Sequence, residues 1–253
     1  MKKIILLLLS LTFAPLAYAD TSPKTLDTLL GSSSLSEQRA AFEKIASSPE
    51  KYVSLIRKRL TSFANGLIDV PGRLIDRLFY LSAFLKDTSL VSPIEAIWKD
   101  TDFLPHYCLY SCPIVFALTI YATSGLWTPP ENMKKEILRH YDLYPEIRMA
   151  SDISLDPTPE EHKIRGPGID IWLQKAAAMS ERELIEQAGP DTQEPKMREA
   201  ATFQLSYTVS SSENLKDLYW LAIQEHPPDG ACEGRGAIYK AIYRAEKAHR
   251  KGH

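Results

Sequence analysis

The sequence has no Gly-x-Ser-x-Gly elbow, no Walker phosphate loop, no His-Glu-x-x-His and no calcium-loop pattern. Each of these motifs uses local backbone geometry to bring a nucleophile, a phosphate cradle or metal ligands to one point. Without them, any catalytic constellation must be assembled from residues distant in sequence. Cys-x-x-Cys is also missing, which removes the thiol-oxidoreductase reading. The stretch Ser48-Pro49-Glu50-Lys51 matches the Ser-x-x-Lys of penicillin-binding enzymes, but the companion Ser-Asp-Asn and Lys-Thr-Gly elements do not occur. A helix cap explains Ser48 better. Positive charge is not in excess either. The whole chain carries 30 Lys and Arg against 32 Asp and Glu, a formal net charge of -2. Nucleic acids need a basic field that displaces phosphate counterions, and this balance does not supply one.

The first residues carry a targeting pattern. Lys2 and Lys3 precede an apolar run from Ile4 to Phe13, Pro15 interrupts it, and Ala17-Tyr18-Ala19 fits the small-x-small rule. This predicts a bacterial secretory signal peptide over residues 1–19, with cleavage before Asp20. A membrane-spanning helix needs about 20 apolar residues, roughly twice the length of this run. No later stretch is long and apolar enough to span. Removing Lys2 and Lys3 leaves 28 basic against 32 acidic side chains, a mildly acidic exported chain.

From Asp20 onward the sequence reads as helix after helix. A Ser or Thr oxygen accepts a free backbone N–H at a helix start, and a Glu three residues on returns the bond. Ser34 with Glu37, Ser92-Pro93 with Glu95, Thr128-Pro129 with Glu131, and Ser180 with Glu183 all have this form. Apolar residues recur at helical spacing, as in Leu35, Ala41, Phe42 and Ile45, or Tyr52, Val53, Ile56 and Leu60. The one Asn-Gly pair, Asn65-Gly66, has no alternating strands beside it, so hairpins are not expected. The fold class is therefore all-α. Short antiparallel helix pairs would be stacked as an α-α superhelix or gathered as an irregular helical bundle. An N-terminal helical block over 20–150 and a C-terminal one over 169–253 flank a Pro/Gly-rich segment, 151–168. That segment reads as a linker in preference to a recognition loop.

Three stretches are similar: Arg39–Ala46, with Ala40-Ala41 and then Ile45; Arg198–Ser206, with Ala200-Ala201 and then Leu205; and Arg235–Tyr243, with Gly236-Ala237 after its Arg. Small residues at such positions let helix backbones approach closely. Residues 195–250, Pro195–Gln224 followed by Pro227–Ile242 above all, resemble HEAT or armadillo-type helical repeats. The resemblance implies a curved scaffold whose surface binds another protein. It implies no catalytic residues.

Two of the three cysteines, Cys108 and Cys112, stand just before Pro113. In an oxidising periplasm, and with Pro113 opening a new helix, they read as a local disulfide across a bend. Cys232 is the competing partner. A metal site at His106, Cys108 and Cys112 is a weaker reading, because structural zinc sites generally need a fourth ligand. Among the aromatics, Trp172, beside the Pro-rich segment, and Tyr239 with Tyr243 on the last helix are the candidates for contact with a partner.

The expected function is an exported, soluble protein-binding module or scaffold, of envelope-associated or immunity type, with another protein as partner and no cofactor. The alternative is an envelope or cell-wall hydrolase whose carboxylate pair is not visible in sequence. Mass spectrometry with a thiol-alkylating reagent tests the cysteine assignment. The periplasm-exported protein should take one label before reduction and three after; three labels without reduction would end it.

Overall fold

The computed structural model describes residues 22–68, 72–99, 113–134, 169–224 and 232–251. The signal segment 1–19, the segment 151–168, His106, Cys108 and Cys112 lie outside the described residues. Among the described residues every regular element is helical and no strand occurs. In chain order the α-helices are α1 (Ser22–Gly31), α2 (Leu35–Ser47), α3 (Glu50–Ala64), α4 (Gly72–Leu85), α5 (Val91–Lys99) and α6 (Pro113–Thr123). They continue with α7 (Ile169–Ala177), α8 (Glu181–Ala188), α9 (Pro195–Thr208), α10 (Leu215–Gln224) and α11 (Cys232–Lys251). A 3-10 turn, Thr88–Leu90, leads into α5.

The helix starts show which capping signals operate. Ser180 Oγ accepts the Glu183 amide, and Glu183 returns to the Ser180 amide at 2.7 Å, a complete capping box. Ser34 Oγ accepts the Glu37 amide as the sequence predicts. There the return arm runs to a neighbour: Glu37 accepts from Ser32 Oγ at 2.6 Å, and Ser32 Oγ accepts the Ser34 amide at 3.0 Å. The other two predicted starts shift. Asp87 takes the Ser89 amide at 2.9 Å and opens the helical run five residues early. Ser92 therefore lies inside α5, with Pro93 in the first turn, where no N–H is needed. Near Thr128, the Pro130 carbonyl accepts the Met133 and Lys134 amides, so the helix there begins at 131.

Two helices end in the same way. At the end of α3 the Gly66 amide bonds to Phe63 and the Leu67 amide to Ser62, with Gly66 at φ +64°. At the end of α6 the Gly125 amide bonds to Ala122 and the Leu126 amide to Tyr121, with Gly125 at φ +71°. Both are Schellman closures, in which glycine enters the left-handed region at low cost. α4 ends differently. Lys86 adopts φ +53°, a conformation costing an L-residue roughly 1–2 kcal/mol.

Helix α4 lies at the centre. It packs on α6, on α10, and on α1 and α3, while α11 packs on α9 and α10. Residues Pro113 to Tyr121 of α6 are buried without a break, as expected for a helix apolar on every side. The N- and C-terminal parts of the chain thus share one core. Phe116 of α6 stacks on Tyr239 of α11 with centroids 4.4 Å apart, and Tyr80 of α4 is edge-on to Phe116 at 5.8 Å. Phe42 of α2 lies 5.6 Å from Trp220 of α10. In a linear solenoid each unit touches only its neighbours. These contacts between α2 or α4 and α10, remote in sequence, give an irregular closed bundle among the described helices.

One buried side chain joins three helices. Arg77, on α4, donates from Nη1 to the carbonyls of Leu29 and Leu30 at 3.1 and 2.8 Å, and from Nε to that of Ile223 at 3.3 Å. Those carbonyls belong to the last turns of α1 and α10, which lack intrahelical partners and carry the negative ends of the helix dipoles. A guanidinium, planar and always charged, suits this position better than an ammonium. Replacing Arg77 with Met should lower unfolding stability by about 3 kcal/mol, since it strands buried carbonyls. The urea midpoint measures this, and Arg77→Lys should recover only part of the loss.

Candidate functional site

The residues proposed from sequence for partner contact separate into two environments. Tyr239 and Tyr243 do not face a partner: they are 0% and 3% exposed. The Tyr239 hydroxyl lies 2.6 Å from that of Tyr80, and both rings contact Phe116. The sequence places them on a terminal helix, whose ends are usually open, but α11 is enclosed by α9, α10, α4 and α6 along residues 236–243. Their amphipathic rings serve the core.

Trp172 is different. On α7, Leu173 and Ala176 are buried and the helix packs on α9. Trp172 is half-buried at the edge of the core, and Lys175 Nζ sits 4.3 Å from its ring centroid. That distance is within cation–π range. Ile171, beside it, is 60% exposed. The outer side of α7 thus presents an aliphatic side chain, an indole edge and a cation within one helical turn.

A charged ladder covers α2, α8 and α10. Lys216 contacts Glu43 at 2.7 Å, and Glu43 contacts Arg39 at 2.7 Å. Arg39 and Arg182 both pair with Asp217, Arg39 with one oxygen and Arg182 with the other at 3.2 Å. Arg182 continues to Glu186 at 3.0 Å. The Arg39 guanidinium lies 5.2 Å from the Trp220 ring. Three cations alternate with three acids, so the ladder presents little net field. Exposed pairs contribute little each, and the value here lies in the network and in covering Trp220. No spacing in the sequence signals this ladder, whose members lie on three helices remote from one another in the chain.

A second polar assembly is internal. Glu246 on α11 is 1% exposed. Its Oε2 accepts from Lys86 Nζ at 2.5 Å, and its Oε1 lies 2.9 Å from the Tyr219 hydroxyl of α10. Both carboxylate oxygens are engaged by structural partners. The lysine of this pair is the residue at the left-handed position after α4. Nearby, Tyr121 donates to the carbonyls of Ser82 and Asp87 at 2.8 and 3.0 Å. Arg244 repeats the Arg77 theme, its Nε donating at 2.9 Å to the Val209 carbonyl that caps α9.

Among the described residues, no group of three or more His, Cys, Asp and Glu could hold a metal ion. The proposed ligands His106, Cys108 and Cys112 are outside that set, and the Cys232 side chain is not described. No family model, curated protein or solved structure matches this chain.

The buried tyrosines make stability depend on alkaline pH. Burial, then the charge of Glu246, pushes Tyr219 well above its ordinary value of 10.0. Burial, then Asp87, does the same to Tyr121. An unfolded tyrosine loses its proton near pH 10 while the folded one keeps it, so the native state binds more protons above that pH. Stability is full below pH 10 and falls as pH rises beyond it, by up to about 1.4 kcal/mol per pH unit for each tyrosine. Denaturation curves from pH 8 to 12 measure the slope. Tyr219→Phe should be less stable at neutral pH and should lose stability less steeply above pH 10.

Proposed function

We propose that the chain is an exported α-helical module of the bacterial periplasm that binds another protein through the outer side of α7. Its HEAT-like character belongs to residues 195–250, within an otherwise irregular bundle, and its role is envelope-associated or immunity-type. The observation that carries this reading is the exposed Ile171 beside Trp172 and Lys175. Tryptophan is enriched where interfaces concentrate their energy, and this one is pre-ordered by the cation over its ring. The repeat character draws on the small residues that follow Arg198 and Arg235. Ala200, Ala201 and Ala237 are fully buried, and α9 packs directly on α11. Small residues at that seam allow the close approach seen in stacked helical repeats.

Internal polar groups add support from the other direction. Glu246, Tyr219, Tyr121 and Arg77 are each committed to bonds that hold helices together. Side chains in such positions serve packing.

Capture of partners from a periplasmic extract by the purified chain, followed by mass spectrometry, tests the proposal. A specific protein should be retained by the native chain. Trp172→Ala and Ile171→Asp, at a surface helix, should each weaken retention at least about tenfold, the loss of one central interface side chain, while leaving the circular dichroism unchanged. Turnover of an envelope substrate, or capture indifferent to both substitutions, would contradict it.

A further inference from the structure

The Asn65-Gly66 pair starts no hairpin; it ends α3. Asn65 is the cap residue, at φ -92° and ψ 5°, and Gly66 follows at φ 64°. Glycine meets the left-handed requirement of the closure. The closure does not require the asparagine, because α6 ends in the same way with Ser124 before Gly125. Asn65 therefore brings to this turn a chemistry that the turn does not need.

That chemistry is spontaneous. Asparagine is thermolabile, and a glycine after it has no Cβ to obstruct the approach of its backbone nitrogen to the asparagine side chain. The Gly66 amide gives its proton to solvent, and its nitrogen bonds to the side-chain carbonyl carbon of Asn65. The bond from that carbon to the side-chain nitrogen breaks, and the nitrogen takes a proton from solvent and leaves as ammonia. Water then opens the five-membered imide at either carbonyl. A ring C–N bond breaks, the Gly66 nitrogen regains a proton, and a carboxylate is left. In total one water is consumed and one ammonium is released, with no exchange of electrons. Opening at the side-chain carbonyl leaves aspartate. Opening at the main-chain carbonyl leaves a β-linked aspartate, whose backbone is longer by one carbon.

The closed turn opposes this reaction. Ring formation needs the Gly66 nitrogen on the Cβ side of the Asn65 Cα–C bond. At ψ 5° that nitrogen is nearly eclipsed with the backbone nitrogen of Asn65, roughly a third of a turn from Cβ about a tetrahedral Cα. Two bonds hold it there. The Gly66 amide donates to the Phe63 carbonyl at 2.9 Å, and the Leu67 amide donates to the Ser62 carbonyl at 2.9 Å. Turning the Asn65 Cα–C bond breaks both. Asn65, Gly66 and Leu67 are exposed, so water reaches the pair and fraying of this turn uncovers no core.

We propose that Asn65-Gly66 is a self-modification site gated by the last turn of α3: the closed turn protects the asparagine, and fraying converts it to aspartate and its β-linked isomer. The product does not restore the original closure. Its carboxylate lies at the negative end of the α3 dipole, and the longer main chain of the β-linked form displaces the Gly66 amide from the Phe63 carbonyl. The site is separate from α7, so its failure does not bear on the protein-binding reading.

Incubation of the exported chain in mildly alkaline buffer, with and without urea, tests it. Peptide mapping by mass spectrometry follows the conversion of amide to acid at residue 65. The chain in urea should convert Asn65 steadily. The native chain should convert it at least about tenfold more slowly, because two hydrogen bonds must open first. Leu67→Pro leaves the reacting pair intact and removes the amide that donates to Ser62. Leu67 is 73% exposed, so this variant should keep its core, which circular dichroism verifies. Its native rate should rise several-fold toward the rate in urea. In the β-linked product, hydrogen exchange at the Gly66 amide should be faster than in the original chain. Equal rates in native buffer and in urea, no conversion of Asn65 in urea, a folded Leu67→Pro chain no faster than the original, or unchanged exchange at Gly66 in the β-linked product would each overturn the proposal.

Discussion

The guanidinium of Arg77 is the constraint on which the arrangement of helices depends. It sits on the central helix α4, buried, and collects carbonyls from the last turns of α1 and α10. A helix end buried without partners for its carbonyls is costly. With α1 and α10 both ending against α4, one cation satisfies both. The geometry also fixes topology. Segments about 150 residues apart in sequence must meet at one point, so the chain closes on itself and does not extend as a line of repeats. Arg244 capping α9 and Arg39 over Trp220 are lesser uses of the same principle. The planar cation suits several acceptors at once.

Around that point the interior is unusually rich in tyrosine. Tyr52, Tyr80, Tyr121, Tyr219 and Tyr239 are all among the fully buried side chains. Each brings an apolar ring and a hydroxyl that must find an acceptor when buried. Tyr80 meets Tyr239, Tyr121 meets the carbonyls near the end of α4, and Tyr219 meets Glu246. Glu246 in turn holds Lys86, whose left-handed backbone forms the sharp turn from α4 into the 3-10 segment. A buried ion pair of this kind gives little net stability but penalises any packing that separates its members. Its effect is to select one register of α11 against α4 and α10.

Legibility in the sequence tracked the range of each interaction. The all-α class was readable because capping and helical apolar spacing are local. Ser180 with Glu183 formed the predicted box in full, and Ser34 began α2. Ser92 failed as a start because Asp87, a few residues upstream, won the competition for a free amide. α1 has a weak sequence signal because its apolar positions, Leu26, Leu29 and Leu30, are few and its start carries no box. Position on the last helix suggests a surface place for Tyr239 and Tyr243. Only knowledge that α6 and α4 lie against α11 puts them inside. The ladder through Asp217 and the bonds of Arg77 join residues up to 178 apart, and no spacing rule reaches that far. Trp172 keeps an open edge because, among the described residues, its helix packs mainly on α9. The exposure of Leu67 was readable in principle: a glycine stop and then leucine, with Thr61 and Ser62 where apolar side chains would cover it.

Division of labour is a consequence of this architecture. Arg77, Glu246 and the tyrosines hold α4, α10 and α11 as one body. The periphery, α7 and the tip of α3, carries the side chains that the core leaves uncovered. Native-state hydrogen exchange tests the central claim most directly, because Arg77 makes the ends of α1 and α10 part of a single cooperative unit. The amides of Leu29 and Leu30 in α1 and of Ile223 in α10 should exchange only through global unfolding, with the same opening free energy. Exchange of the α1 amides through a separate opening of much lower free energy, with α10 still protected, would contradict it.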